Sequence, residues 1–487
     1  MKVGLYKIPL ISKFPRPKPF WKLIGPVMII LGLSIGSGEL IIWPMIVARY
    51  SFVLLWAGLI SLIFQTIWTE EMARWTILTG EHFIQYIGRW IGLTTSVFLF
   101  GMIAWLSNGF PGWAAAAGTS LRALFDWPFD LVSGTVFWAS MGFIGCILIS
   151  LGSKIVRKTV EKILTAQVII MWFILLICVF TLTSMNDWIK FFKSLVENFG
   201  KIPPDVSWWT LASAVCFIGA GGISNIWYTF WIRDAGFGMG SLIGKIPGWR
   251  GKKTSIKLSG YLPKPTKENV RRVKSWISNL HKAFWLVFFL MNFLAISLFA
   301  VLSNVVLHRR NLVPSGFEIA VVQAEIFQSV AGRFGYFIFL FMIAMLLWGT
   351  QLSICEGIVR QLADTTYLVS RKVRKFVKRD IRKWYFYLFI LFAVWGMVWI
   401  VLQEFFSELI KPDFFLFLSA NIGLISQLIS LVMLLYFQYF IARKYLPKKL
   451  WDIYKPHPIR TAILLLATCF WGYFIGMAWM EKLGLLN

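Results

Sequence analysis

The chain has 487 residues, of which 58% are hydrophobic and only 15% are charged. Soluble domains carry about 25% charged residues, so this composition excludes a soluble enzyme, a secreted scaffold and a transcription factor. Lys and Arg exceed Asp and Glu by 49 − 22 = 27, but these charges follow the connections between apolar blocks, which argues against nucleic acid as a partner.

The N-terminal segment 1–22 is basic and contains Pro15, Pro17 and Pro19. It lacks an apolar core followed by a small-residue cleavage site, so we expect no cleaved signal peptide. We expect this segment to lie in the cytoplasm. The five cysteines of the chain lie inside apolar blocks without CxxC spacing, which disfavours a disulfide framework or a zinc site.

Eleven apolar blocks follow, and their lengths fit membrane-spanning helices of about 20 residues. In chain order, these predicted spans 1 to 11 are 23–48, 52–78, 90–117, 131–152, 163–184, 208–231, 283–307, 334–356, 384–403, 414–441 and 460–480. The sequence predicts an all-α polytopic membrane protein. We expect a first set of five spans in 23–184, a second set in 208–441 with a basic cytoplasmic loop at 232–281, and an added helix at 460–480.

The connections between spans alternate in charge. Lys and Arg concentrate after spans 4, 6, 8 and 10, whereas Asp126, Asp130, Glu404 and Asp413 lie in the opposite connections. By the positive-inside rule, the N-terminus is cytoplasmic and the C-terminus is external. We therefore expect an integral protein of the cell membrane that is surrounded by the lipid bilayer.

Two spans carry glycine-rich polar stretches in the middle of their apolar runs. Span 1 contains Ser34 to Glu39, and span 6 contains Gly219 to Asn225. Glycine in a helix interior costs about 1 kcal/mol relative to alanine, so both stretches predict unwound backbone. At mid-membrane depth such backbone must be buried in protein or line a cavity.

The two stretches lie five spans apart, in sets that enter the membrane from opposite sides. Paired interruptions of this kind indicate the midplane substrate site of a transporter, with unwound peptide groups free to hold the substrate. In the alternative interpretation, the glycines only permit close helix packing.

The apolar blocks also contain several short motifs. They are Gly25-Pro26, Gly36-Ser37-Gly38-Glu39, Ala48-Arg49-Tyr50, Leu54-Leu55-Trp56, Thr79-Gly80, Gly219 to Tyr228 and, more loosely, Gln351 to Asp364 and Ser419 to Pro447. Together they resemble the motifs of the Nramp family of transporters. This resemblance implies a LeuT-type fold with a 5+5 inverted repeat, broken helices 1 and 6, and alternating access. For the best-known members it also implies proton-coupled uptake of divalent transition metals.

The family's metal-ligating motifs are replaced in this chain. Its Asp-Pro-Gly-Asn falls on Gly36 to Glu39, and its Met-Pro-His falls on Ile223, Ser224 and Asn225. Soft sulfur favours transition metals, so its loss disfavours selectivity for them. The resemblance therefore implies a divergent Nramp-related secondary transporter for a divalent cation, a class that includes symport, with hard ions such as Mg²⁺ or Mn²⁺ ahead of Fe²⁺.

The residues of the two interruptions form the predicted substrate site. They are Gly36, Ser37, Gly38, Glu39, Gly221, Gly222, Ile223, Ser224 and Asn225. Glu39 is the candidate metal ligand, because a carboxylate binds hard cations together with hydroxyl and carbonyl oxygens. Alternatively, Glu39 only caps the second half-helix, or the substrate is a small polar organic solute and Glu39 accepts its hydrogen bonds. We expect no cofactor.

Further polar residues are candidates for an inner gate or ion path. They are Glu70, Glu71, Arg74, Gln351, Glu356, Arg360, Asp364 and Asn421. The charged members share helical faces, so a structural ion-pair network is the alternative. An intramembrane enzyme or a non-transporting scaffold is the third class of function. We expect no enzyme, because no HExxH or GxSxG motif is present. Proton coupling has little support, because no histidine lies in the middle of a predicted span.

Overall fold

The structure is a computed structural model, and it describes residues 8–36, 38–254, 256–318 and 321–486. Most of the described chain is helical. The helices up to the end of span 5 are α1 (Ile24–Ser34), α2 (Trp43–Tyr50), α3 (Leu55–Thr79), α4 (Phe83–Ile91), α5 (Leu93–Asn108), α6 (Gly112–Phe125), α7 (Leu131–Gly152) and α8 (Val156–Leu182). Span 3 is thus divided into α5 and α6, and α7 has the predicted bounds of span 4.

The second half begins after α9 (Met185–Glu197), which lies between spans 5 and 6. Its helices are α10 (Trp208–Phe217), α11 (Ser224–Asp234), α12 (Gly240–Ile243), α13 (Lys267–Ala283), α14 (Leu290–Val306), α15 (Glu325–Val369), α16 (Arg371–Phe376), α17 (Ile381–Phe405), α18 (Pro412–Tyr436), α19 (Ala442–Tyr445), α20 (Lys448–Tyr454) and α21 (Pro458–Lys482). Short π-helical segments extend three of the spans, at Gly38–Ile42, Phe284–Phe289 and Phe437–Ile441.

Nine helices within the described residues are long and apolar enough to cross a membrane. The other two predicted spans correspond to α3 and to the pair α10 and α11. The α3 helix is 25 residues long but carries Glu70, Glu71 and Arg74, whereas α10 and α11 have only 10 and 11 residues. By length and hydropathy alone, these two spans are too polar or too short to cross a membrane. The cause is the candidate functional residues that they contain.

The helices of spans 5 and 8 are longer than the predicted spans. Span 5 begins at Val156, seven residues before the predicted position, and span 8 extends from Glu325 to Val369 with a kink at Ala331 and Gly332. Both helices continue beyond the apolar core, and their ends carry polar residues that a hydrophobicity pattern assigns to loops. Helix ends of this kind project past the hydrocarbon layer.

The N-terminal segment and the basic loop 232–281 pack together. Leu10–Ile11 pairs in parallel with Leu262–Pro263 to form a short two-stranded sheet. The Phe14 amide donates to the Asn269 side chain at 2.9 Å, and the Trp276 indole donates to the Pro15 carbonyl at 3.1 Å. The predicted basic loop thus contains most of an amphipathic helix, α13, which holds the N-terminal segment beside the start of span 1.

Burial places span 1 at the centre of the helix bundle. About 82% of its most apolar stretch is buried, compared with 28% for the corresponding stretches of α7 and α21. On the outside, Phe173 and Phe180 of α8 and Leu466 of α21 are 69%, 82% and 63% exposed. Such exposed apolar side chains are expected where a helix faces lipid.

Candidate functional site

Span 1 is interrupted where the sequence predicts. The α1 helix ends at Ser34, Ile35 leaves the helical conformation with ψ 27°, and the chain resumes as the π-helical segment at Gly38. Ser37 lies outside the described residues. A Cβ atom on Gly36 would overlap the Thr350 side chain, and one on Gly38 would overlap the Phe217 carbonyl oxygen. The absence of a side chain at these positions therefore lets span 1 approach spans 8 and 6.

Span 6 is interrupted between Phe217 and Ser224. Gly219, Gly221 and Gly222 have φ angles of 85°, 69° and 51°, which lie in the left-handed region that favours glycine. A Cβ on Gly222 would also overlap the backbone of Gly423 in α18. The glycines thus serve both the unwound conformation and the close packing that the alternative interpretation assigns to them.

Glu39 connects the two interruptions. Its Oε1 accepts a hydrogen bond from the Gly219 amide at 2.9 Å, and its side chain is fully buried. The second oxygen, Oε2, has no hydrogen-bond partner within the described residues. Burial of a carboxylate without an opposite charge is unfavourable, so this site favours a group that supplies a positive charge or a hydrogen-bond donor.

Gln65 of α3 holds the other side of the span 6 interruption. Its Nε2 donates to the carbonyls of Cys216 and Ile218 at 2.9 and 2.7 Å, and its Oε1 accepts from the Gly221 amide at 3.2 Å. Sequence reasoning missed this residue. The available signal was its amide side chain in the middle of an apolar span.

Asn225 is fixed by the same residue of α3 and by a second one. Its Nδ2 donates to Gln65 Oε1 at 3.1 Å, and its Oδ1 accepts from the Thr69 hydroxyl at 2.8 Å. The last turn of α10 is satisfied in a similar way. Ser61 donates to the Val215 carbonyl at 2.6 Å, and the Trp43 indole donates to the Ala214 carbonyl at 3.1 Å. In this state, therefore, side chains of the protein bind the Gly219 and Gly221 amides, which the sequence predicts to be free for substrate.

The site residues described in the structure are all buried. Ile223 is 0% exposed and Ser224 is 2% exposed. No group of three or more His, Cys, Asp or Glu side chains in the described parts of the chain is arranged to hold a metal ion. Glu39 is thus a single carboxylate, and any cation there would take its remaining ligands from amides, hydroxyls or water.

The predicted stripe of Glu356, Arg360 and Asp364 is half of a buried charge network. Arg233 and Asp234, at the end of α11, provide the other half, which sequence reasoning missed. Arg360 pairs with Glu356 at 2.5 Å and with Asp234, while Arg233 pairs with Asp234 at 3.2 Å and with Asp364. The network joins α11 to α15 at the ends that the charge pattern predicts to be cytoplasmic.

The composition of this network is unequal in charge. It contains three carboxylates and two guanidinium groups, and none of the five side chains is more than 2% exposed. The Asp364 Oδ1 atom has no hydrogen-bond partner among the described residues. The Trp231 indole adds a neutral donor to Glu356 at 2.7 Å.

The other predicted charge group has a different environment. Glu70 accepts hydrogen bonds from Arg460 at 2.7 Å and from Trp285 at 3.0 Å, and Glu71 pairs with Arg74 at 2.6 Å. These contacts tie α3 to α21 and to the segment that follows α13. They fit the alternative interpretation, a structural ion-pair network.

The two predicted amides differ from each other. Asn421 donates to the Ser213 hydroxyl at 2.8 Å and so connects α18 to α10, which makes it an interhelical contact and not part of the charge network. Gln351 is buried on α15, next to the Thr350 side chain that faces Gly36, and its Oε1 has no partner within the described chain.

Gln65→Leu tests the role of the α3 amide. The substitution leaves buried peptide groups of the span 6 interruption without partners, so we expect the free energy of unfolding to fall by about 2–4 kcal/mol. Thermal unfolding of the detergent-solubilised protein, followed by tryptophan fluorescence, measures this loss.

Gln403→Leu is the matched control. Gln403 is equally buried in α17, but neither of its amide atoms has a partner among the described residues. We expect this variant to be as stable as the parent protein or more stable. Equal destabilisation by the two substitutions would contradict a specific role for Gln65.

No protein-family profile matches the sequence. No curated protein matches it either.

Several solved structures share its architecture. The Eremococcus coleocola manganese transporter in complex with an aromatic bis-isothiourea substituted compound is 14% identical, with a TM-score of 0.64 over 99% of this chain and 93% of that chain. MhsT in complex with L-phenylalanine is 16% identical, with a TM-score of 0.52 over 93% and 98%. A nucleobase-cation-symport-1 family transporter in a closed conformation is 14% identical, with a TM-score of 0.51 over 96% and 93%.

At these identities the similarity establishes the fold and not the substrate. With helices 1 and 6 interrupted at mid-span, the chain is an all-α polytopic membrane protein of the LeuT type, built as a 5+5 inverted repeat with one added helix.

Proposed function

We propose that this protein is a secondary transporter that moves a small hydrophilic substrate by alternating access. The observation that carries this proposal is the meeting of the two interruptions at Glu39. One carboxylate oxygen of Glu39 accepts from the Gly219 amide, and the other is buried with no hydrogen-bond partner among the described residues. Interrupted helices that meet at the repeat interface are the usual place for substrate in transporters built from inverted repeats.

The donor set at the interruptions favours a substrate that is cationic or rich in hydrogen-bond donors. An ionised Glu39 needs an opposite charge in its buried position, and the neighbouring groups are amides and hydroxyls. A small organic solute with an ammonium or amide N–H group directed at Glu39 Oε2 matches this environment. This is the substrate class that the geometry supports best.

A hard divalent cation is the second candidate. Mg²⁺ keeps several waters and binds proteins through one or two carboxylates, so the single carboxylate of Glu39 suffices for a partly hydrated ion. The resemblance to the Nramp family supports this candidate, and the absence of a group of three metal-ligating side chains in the described residues weighs against a dehydrated ion.

We also propose that the charge network between α11 and α15 is the cytoplasmic gate. Its five side chains connect the half of span 6 that follows the interruption to span 8. Movement of α11 away from α15 would expose these groups to water, which solvates them at a lower cost than the membrane interior does. The network can therefore exchange between a paired, closed form and a hydrated, open form.

Glu39→Gln tests the substrate site. The amide oxygen of the glutamine can still accept from Gly219, while the charge at Oε2 is lost. We expect uptake of the substrate into proteoliposomes to fall by about tenfold or more, which corresponds to about 1.4 kcal/mol or more of lost binding. Uptake is measured for Mg²⁺, Mn²⁺ and a set of small organic amines and zwitterions.

Glu404→Gln is the control, because Glu404 is an exposed carboxylate near the C-terminal end of span 9. Uptake by this variant should match uptake by the parent protein. Metal flux that is lost with Glu39→Gln supports the cation candidate, and lost flux of an amine supports the organic candidate. Unchanged flux of the transported solute in Glu39→Gln would disprove the site. If the folded parent protein transports none of the tested ions and solutes, the result favours the alternative of a non-transporting scaffold.

Arg360→Gln tests the gate. Removal of this guanidinium leaves three buried carboxylates with one cation, and disruption of a buried ion pair costs about 3–5 kcal/mol. We expect the gate to open more often, so that Cys216 at the span 6 interruption reacts about tenfold or more faster with a membrane-impermeant thiol reagent from the cytoplasmic side. The measurement uses a Cys469→Ser background, since Cys469 is exposed.

Arg382→Gln provides the comparison, because Arg382 pairs with Asp380 at 2.7 Å outside the network. Its effect on Cys216 labelling should be small. Equal labelling rates in the two variants, or faster labelling only from the external side, would show that the network is not the cytoplasmic gate.

A further inference from the structure

The connection between spans 8 and 9 forms a cationic cleft. Its volume is about 520 Å³, and the residues that line it are Arg371, Arg374, Lys375, Lys378 and Arg379. Each of these side chains is a cation, and no carboxylate of the described residues lines the cleft. Five like charges in so small a volume repel one another, so an anion in the cleft would relieve an unfavourable arrangement.

The fold holds this arrangement in place. Lys378 and Arg379 have φ angles of 51° and 57°, in the left-handed region that non-glycine residues rarely adopt. The Arg379 amide donates to the Arg374 carbonyl at 2.8 Å, and the Arg374 guanidinium donates to the Leu368 carbonyl at 2.9 Å at the end of α15. The cleft is therefore built into the turn and does not depend on flexible side chains alone.

The nearest acidic residue in this connection is already paired. Asp380 binds Arg382 at 2.7 Å, and the side-chain hydrogen bond from Arg382 is the main factor that holds the pKa of this carboxyl below its usual value. Asp380 therefore stays ionised with its own partner and leaves the five cations of the cleft without an internal counter-charge.

Aromatic side chains next to the cleft indicate where the membrane surface lies. Phe376 is 69% exposed, and its ring lies 6.4 Å from that of Trp384 and 6.1 Å from that of Tyr387. Such aromatics are enriched at the level of lipid headgroups. We therefore expect the cations beside them to lie at the level of the headgroup layer, where an anionic lipid is the available ligand.

We propose that this cleft binds the headgroup of an anionic lipid that carries at least two phosphate charges. Three features support a headgroup with several charges over one with a single charge: the number of cations, their convergence in one cleft, and the missing internal counter-charge. Phe376 would contact the acyl region just below the bound phosphates. This site is separate from the proposed substrate pathway, and its test does not depend on transport.

The experiment measures lipid binding to the full-length, detergent-solubilised protein by native mass spectrometry. The probes are cardiolipin, phosphatidylglycerol and phosphatidylcholine. A cleft variant combines Arg371→Gln, Lys375→Gln, Lys378→Gln and Arg379→Gln, and it keeps Arg374 because that residue caps α15. We expect cardiolipin to bind the parent protein more tightly than the other lipids, and the cleft variant to lose about tenfold or more of this affinity.

The control variant removes the same number of charges from the connection between spans 10 and 11. It combines Arg443→Gln, Lys444→Gln, Lys448→Gln and Lys449→Gln, which are all exposed, and we expect little change in cardiolipin affinity. Equal loss of cardiolipin affinity in both variants would overturn the proposal, because it would mean that any basic connection of the protein contributes equally to binding. A melting temperature equal to that of the parent protein shows that the cleft variant is folded.

Two further measurements separate a lipid from a free anion. Phe376→Ser keeps every charge, so it should weaken the binding of cardiolipin without weakening the binding of inorganic pyrophosphate. Full displacement of cardiolipin by low concentrations of pyrophosphate, with no effect of Phe376→Ser, would overturn the lipid assignment in favour of a soluble phosphate compound.

Discussion

The structure depends on one requirement, that unwound backbone inside a membrane must have partners for its peptide groups. Span 6 loses its helical hydrogen bonds at Gly219 to Ile223, and the missing partners are supplied by side chains. Gln65 binds two carbonyls and one amide, and Glu39 binds a further amide. Spans 1, 2 and 6 are therefore coupled through these bonds, and the position of one interruption restrains the other.

The sequence predicts the fold and the two interruptions well, because their signals are local. Apolar runs of sufficient length mark the spans, and glycines next to polar residues mark the interruptions. The partners of the interruptions are not local. Gln65 lies 151 residues from Cys216, so nothing in either segment indicates their contact. For the same reason, only half of the charge network could be predicted from the sequence. Arg360 and Asp364 share one helix face, but Arg233 and Asp234 belong to another helix.

The alternative interpretations of the sequence also turn out to describe different parts of the molecule. The glycines serve packing as well as unwinding, because Gly38 and Gly222 each lie against the backbone of another span. Of the two charge groups, the one around Glu70 connects α21 to α3. The one around Arg360 connects span 8 to α11, the half of span 6 that we propose to move. A pattern of charges on one helix face does not distinguish these roles.

Alternating access requires that the bonds at the interruptions be exchanged at little net cost. Each peptide group of span 6 named above has a hydrogen-bond partner, whereas Glu39 Oε2 has none within the described parts of the chain. A substrate that binds this oxygen replaces a missing interaction and displaces no existing one, so its binding energy is not offset by lost protein contacts. Because Glu39 also accepts the hydrogen bond from Gly219, a substrate that bound Oε2, as we propose, would act directly on the contact between spans 1 and 6. In the transport mechanism that we propose, this contact gives the substrate a means to shift the equilibrium between states, which only a difference in affinity for those states can do.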